Sequence, residues 1–129
     1  MSFEEIMSLS PYSLSEKEKN ELLTKRLVEL TVHHAENCQK YKKMLDAIGF
    51  DICKIMNYKE IPFLPVRLFK ELELKSVSQD EIVKTMTSSG TTGQAVSKIY
   101  LDRATSANQQ KAMVKIVQDF TGSTRMPMI

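Results

Sequence analysis

Thr87-Ser88-Ser89-Gly90-Thr91-Thr92-Gly93-Gln94 lies between two stretches that alternate apolar and polar residues. Every position from Thr87 to Gly93 is Gly, Ser or Thr, and the loop holds two of the chain's four glycines. On its N-terminal side Ile82, Lys84 and Met86 fall on one face and Val83, Thr85 and Thr87 on the other; on its C-terminal side Val96 to Leu101 alternates in the same way. A period of two is the signature of a half-buried strand, so the loop is read as joining an antiparallel pair. Ser, Thr and Gly are common in turns for conformational reasons alone. This loop, however, is longer than a tight hairpin needs, has no Asn or Asp, and carries five hydroxyls in seven residues. Such a loop can aim backbone N–H groups and hydroxyls at one concave point, a geometry that holds phosphate oxygens.

Upstream, Ser13 and Glu16 are spaced as a capping box, and a stripe follows through Leu23, Leu27, Leu30, His34, Cys38, Tyr41, Leu45 and Ile48. Steps of three and four predict one amphipathic helix of eight or more turns, ended by Gly49 as a left-handed cap. Phe3 to Leu9 is read as a short helix before it. Pro62 and Pro65 push Ile61 and Leu64 toward extended geometry, and Phe63, Leu64, Val66, Leu68 and Phe69 demand burial. Leu72 to Val77 alternates as a further strand. Downstream, Asp102 is a good N-cap. Ala104, Ala107, Met113, Ile116, Val117 and Phe120 define one face of a helix that Gly122 ends. The predicted class is α+β in a single partial domain. It divides into a helical segment (1–56), a Pro-containing connector and strand (57–81), strand–loop–strand (82–101), a helix (102–122) and the start of a truncated strand (123–129).

Composition narrows the function. The chain has 129 residues, 18 Lys+Arg against 16 Asp+Glu, 42% apolar and 26% charged residues, as a soluble globular domain does. A net charge of +2 makes no electrostatic case for nucleic acid. The C-terminal part is mildly basic, with 9 cationic and 6 acidic residues from position 61 onward, compatible with an anionic ligand near the loop. Two cysteines, Cys38 and Cys53, without metal-ligand spacing, point to a reducing compartment. The acidic N-terminus resembles no secretory signal, and the most apolar window, Ile61 to Phe69, is broken by two prolines and Arg67. A cytoplasmic protein with no membrane span and no metal site is expected. Cys38 on the buried stripe reads as inert packing rather than a nucleophile. His33 and His34, about 100° apart on a helix, read as structural rather than as metal ligands.

The loop is neither a Walker A motif, since Gln94 follows Gly93 and a strand follows the loop, nor a Rossmann fingerprint. Ser88-Ser89-Gly90-Thr91-Thr92-Gly93 does resemble the phosphate loop of the adenylate-forming ligases, which include acyl- and aryl-CoA synthetases, peptide-synthetase adenylation domains and firefly luciferase. The family's usual Pro-Lys-Gly continuation is missing: Ala95 stands at the proline and Val96 at the lysine, with Lys98 two positions later. That departure narrows the likeness. Together with Ile99-Tyr100-Leu101-Asp102, the helix bearing Thr105 and Gln109, and the segment Ile61 to Lys70, it resembles the acyl-protein synthetases of the LuxE type. The resemblance spans nearly the whole chain and the first third of a family member.

The resemblance implies a carboxylate, such as a fatty acid, attacking the α phosphorus of ATP in the presence of Mg²⁺, then acyl transfer to a protein thiol. Ser88, Ser89, Gly90, Thr91, Thr92 and Gly93 would hold phosphate, with Thr87 and Lys98 as further contacts. The catalytic residues and the acceptor cysteine would lie outside this chain, so the chain alone is expected to be inactive. Two other readings stay open: an aryl- or acyl-CoA ligase of the phenylacetate type, and a stand-alone helical interaction module.

Overall fold

The computed structural model describes residues 3–89 and 95–124. A short helix α1 (Phe3–Ser8) precedes the long α2 (Glu16–Asn37) and α3 (Gln39–Ala47). Two 3₁₀ turns follow, at Ile52–Lys54 and Tyr58–Glu60, then the single-turn α4 (Leu68–Glu71). A third 3₁₀ turn, Gln79–Glu81, leads into β1 (Ile82–Thr87), which pairs antiparallel with β2 (Lys98–Asp102). The last described element is α5 (Arg103–Thr121). Helices with one small antiparallel sheet make the α+β arrangement the alternation and periodicity imply.

The long stripe folds as two helices rather than one. The chain leaves helical geometry at Cys38, with φ −129° and ψ 96°, and resumes it at the next residue. Asn37 contributes to the break: its side-chain amide donates to the His33 carbonyl at 2.8 Å, the local competition for backbone groups that makes Asn a poor helix interior. One non-helical residue barely disturbs the spacing of the stripe, so the sequence conceals the kink. The start of α2 also differs from the expected Ser13–Glu16 box. Ser15 is the cap: its hydroxyl accepts from the Glu18 N–H at 3.3 Å, and the Glu18 carboxylate accepts from the Ser15 N–H at 2.9 Å. Ser13 is instead turned back, its hydroxyl donating to the Ser10 carbonyl. Gly49 does close α3 in the left-handed region (φ +65°), with Phe50 N–H bonded to the Leu45 carbonyl at 3.0 Å.

Residues 72–77 are not a strand. Leu72 is extended (φ −121°, ψ 141°), but the segment joins no ladder. Its alternation reports a half-buried side, which an irregular segment lying on α2 and α3 also satisfies. The Pro-containing connector buries less than its composition demands. Leu64, Leu68 and Phe69 are half-buried, while Phe63 and Val66 are exposed among the described residues. β2 is shorter than expected, because Val96 and Ser97 precede the ladder, and a bulge at Val83 shifts the register between Ile82 and Lys84.

Among the described residues the buried apolar side chains are Cys38, Leu45 and Leu101. Leu101 is the sheet's contribution and only 3% exposed. Asp102 ends β2 and begins α5 in one residue, its carboxylate accepting from Thr105 N–H at 2.7 Å. The face of α5 expected to enter a core does not do so among the described residues: Met113, Ile116, Val117 and Phe120 are all at least half exposed. The helix contacts both strands and α1, and Ser106, Asn108, Ala112 and Lys115 are half-buried positions on it. α1 docks on it through the Glu4–Lys111 ion pair at 3.0 Å and the Lys115 ammonium on the Met7 carbonyl. Residues 125–129, expected to start another strand, lie outside the described residues.

The Asp102 cap generates a prediction. Asp102→Ala should cost about 1 kcal/mol, the usual loss for an N-cap. The hydrogen bonds from Thr105 hold the Asp102 carboxyl below its ordinary range. A folded value below the unfolded one gives stability that is complete above the unfolded pKa and is lost as pH falls through the folded one. Urea titrations of both proteins from neutral pH down through about pH 3 should therefore converge on acidification. A gap that stays constant would contradict the carboxylate cap.

Candidate functional site

The β1–β2 ladder delivers the two ends of the Ser/Thr/Gly loop side by side. Its last backbone pair is Thr87 with Lys98. One step further the pairing passes to a side chain. Ser88 N–H donates to the Ser97 carbonyl at 3.1 Å, and the Ser88 hydroxyl accepts from Ser97 N–H at 3.0 Å. The Ser88 oxygen thus stands where a strand would present a carbonyl, and it closes the foot of the loop. A serine hydroxyl has one proton and two lone pairs, so this bond leaves the Ser88 proton for a further acceptor.

Thr87, Ser88 and Ser89 are exposed on one side of the loop's foot, and Lys98 is exposed on the other. Of the expected phosphate contacts, Gly90, Thr91, Thr92 and Gly93 lie outside the described residues. Ser97, a residue the motif does not include, belongs to the same foot. It is 8% exposed, and its hydroxyl has no hydrogen-bond partner among the described residues. A buried hydroxyl without a partner costs about 1–3 kcal/mol. The sequence signal for Ser97 is weak, because a serine at a strand start is unremarkable until the register is known.

A second group of polar side chains lies beside β2. The His34 Nδ1 and the Ser76 hydroxyl are 2.7 Å apart across 42 residues of chain, and the His34 ring stands edge-on to Tyr41 at 6.4 Å. Partial desolvation, with His33 nearby, holds the His34 imidazole below its ordinary pKa. Lys75 Nζ reaches Glu73 and Gln79, each at 2.9 Å, and sits 5.9 Å above the Tyr100 ring centre. Lys75, Lys40 and Lys98 together hold the exposed Glu73 carboxyl below its usual range. Lys98, expected at the phosphates, is therefore also within electrostatic reach of Glu73. The sequence placed His34 correctly on the helix stripe but gave no sign of the distant Ser76.

Both cysteines are free thiols, Cys38 buried and Cys53 exposed. Among the described residues no three His, Cys, Asp or Glu side chains are grouped to hold a metal ion. No described helix is long and apolar enough to cross a membrane.

The foot of the loop can be tested by stability alone. Ser88→Ala removes the acceptor of a partly buried N–H and should destabilise the chain by about 1 kcal/mol. Ser97→Ala removes a hydroxyl that bonds nothing and keeps the N–H, so it should be neutral or stabilising. Urea unfolding of the two variants checks the order, and the reverse order would contradict the arrangement.

Comparison with known proteins gives the same direction. The family model for the acyl-protein synthetase LuxE matches residues 2–129. The long-chain-fatty-acid–luciferin-component ligase of Photorhabdus luminescens is 31% identical over 88 residues, covering 68% of this chain and 75% of that protein. No solved structure matches the chain. With the family model matched over nearly the full length, this chain belongs to the LuxE acyl-protein synthetase family.

Proposed function

We propose that this chain carries the phosphate-binding loop of an ATP-dependent, acyl-activating ligase. The observation that carries the reading is the hairpin. Its final rung, Ser88 with Ser97, fixes both feet of a loop made of Gly, Ser and Thr. Membership of the LuxE family, and a relative named as a long-chain-fatty-acid ligase, support the substrate class.

In the proposed reaction a carboxylate oxygen attacks the α phosphorus of ATP. The bond from that phosphorus to the bridging oxygen breaks, and pyrophosphate leaves with the electron pair. The acyl-adenylate is then attacked at its carbonyl by a protein thiolate, and AMP leaves. Both first-step reactants are anionic, so rate depends on donors already aimed at the charge that develops on the leaving group. Hydroxyls of Ser88, Ser89, Thr91 and Thr92 supply such donors without a fixed charge. Glycine at positions 90 and 93 would allow backbone N–H groups to approach the phosphates closely. Mg²⁺ would supply charge neutralisation at the phosphates.

One loop cannot by itself align a carboxylate with the α phosphorus, and alignment supplies much of the acceleration in such reactions. The chain of 129 residues is therefore expected to bind Mg·ATP weakly and to turn nothing over. Calorimetric titration with Mg·ATP should give saturable binding in about the millimolar range, lost in Thr91→Val. Tight binding indifferent to that substitution would sink the loop assignment. In a catalytically complete family member, the same change at the matching threonine should lower carboxylate-dependent ATP–pyrophosphate exchange about 10²–10³-fold.

A further inference from the structure

Beside β2 lies a cleft of about 430 Å³, walled by Leu64, Phe69, Leu74, Ile99, Tyr41 and Tyr100. The volume is in the range of about 300–1,000 Å³ typical of small-molecule sites. Its walls are apolar, but its polar groups are gathered rather than scattered. The His34–Ser76 pair, 2.7 Å apart, lies on one side. The Lys75 ammonium lies over the Tyr100 ring. Lys75, Lys40 and Lys98 are all within electrostatic reach of one carboxylate, Glu73. Of these lysines Lys75 lines the cleft, where it is paired with Glu73 and gives the apolar walls a cationic group. Charge and wall chemistry together select an amphipathic anion.

We infer that this cleft binds the acyl substrate, a straight apolar chain ending in a carboxylate, with the chain against Leu64, Phe69, Leu74 and Ile99 and the carboxylate at the Lys75 ammonium. The inference deepens the ligase reading and rests on it for the choice of a carboxylate as the anionic head. The topology is favourable. Ile99 directly follows Lys98, and Lys98 faces Thr87 at the foot of the phosphate loop, so one strand borders both the cleft and the nucleotide loop. Lys75 is tethered by Glu73 and Gln79 rather than swinging freely, which lowers the entropic cost of placing its charge. His34 is held toward its neutral form, so with Ser76 it offers hydrogen bonding without a second full charge beside the chain.

A groove of about 440 Å³ between α1 and α5 is the competing location, lined by Ile6, Leu9, Pro11 and Ile116. Its lysines are Lys19 and Lys115, and Lys115 is bonded to the Met7 carbonyl. Among the described residues it has no ammonium over an aromatic ring, as Lys75 has over Tyr100.

The test is titration of the full chain, without nucleotide, with dodecanoate and with dodecanol below their aggregation limits. Dodecanoate should bind saturably at about 10⁻⁵ M, and dodecanol several-fold more weakly. Ile99→Trp fills the cleft from a partly exposed strand position and should weaken dodecanoate at least tenfold with an unchanged circular dichroism spectrum. Lys75→Met should erase the preference for dodecanoate over dodecanol while leaving dodecanol affinity intact. Ile116→Gln, in the α1–α5 groove, should change neither. Absence of saturable binding, or binding lost in Ile116→Gln and spared in Ile99→Trp, overturns the inference. The two readings separate cleanly. Dodecanoate binding with these signatures, alongside ATP binding indifferent to Thr91→Val, leaves the cleft standing and removes the loop. Thr91-dependent ATP binding without cleft-dependent dodecanoate binding does the opposite.

Discussion

Everything that bears on function in this chain depends on the pairing of β1 with β2. A two-stranded ribbon is marginal in water by itself, and here it is held from two sides. Leu101 is buried, and α5 grows out of β2 through the single residue Asp102, so the helix cannot move without the strand. On the other side, the cleft walls from α2, α3 and the 72–76 segment meet Ile99 and Tyr100. The ladder then ends in a side-chain rung, Ser88 with Ser97, in place of a backbone one. That substitution lets the chain stop being a strand at a defined point while both ends of the loop stay fixed.

The same ribbon explains how a small buried core can position a site. Only a few apolar side chains among the described residues are fully buried, and Met113, Val117 and Phe120 on α5 remain exposed. Order at the loop's foot therefore comes from directional bonds: strand pairing, the Asp102 cap, the Ser88–Ser97 rung and the His34–Ser76 contact. These bonds are individually worth about 1 kcal/mol; the strand pairing, the Asp102 cap and the Ser88–Ser97 rung follow one another along β2, and the His34–Ser76 contact joins α2 to the 72–77 segment beside it.

The sequence made the functional part of this fold legible and hid much of the rest, for physical reasons. Alternation on both sides of a Gly/Ser/Thr loop is a short-range signal, and β1, β2, the Asp102 cap and the Gly122 end of α5 follow from it. Position-specific choices were not so visible. Ser13–Glu16 and Ser15–Glu18 both satisfy the capping spacing, and the backbone turn at Ser10 to Ser13 decides between them. The break at Cys38 costs the helix one residue, too few to disturb a stripe with steps of three and four. Leu72 to Val77 alternates because one side is half-buried, yet alternation carries no information about a pairing partner. The stripe on α5 marks an apolar face without saying what meets it. At the candidate site, the motif names Thr87, Ser88, Ser89 and Lys98 as proposed phosphate contacts, whereas Ser97 and the His34–Ser76 pair depend on register and on a contact 42 residues apart.

The central claim is that the loop between Ser88 and Ser97 receives the phosphates of ATP. The most direct measurement is the change in backbone amide chemical shifts of the labelled chain on adding Mg·ATP, magnesium pyrophosphate and AMP in turn. Shifts should be concentrated between Ser88 and Lys98 with Mg·ATP and with pyrophosphate, with little change on adding AMP, because the loop is assigned to the β and γ phosphates. Shifts centred on the helices, or an AMP response equal to that of ATP, would contradict it.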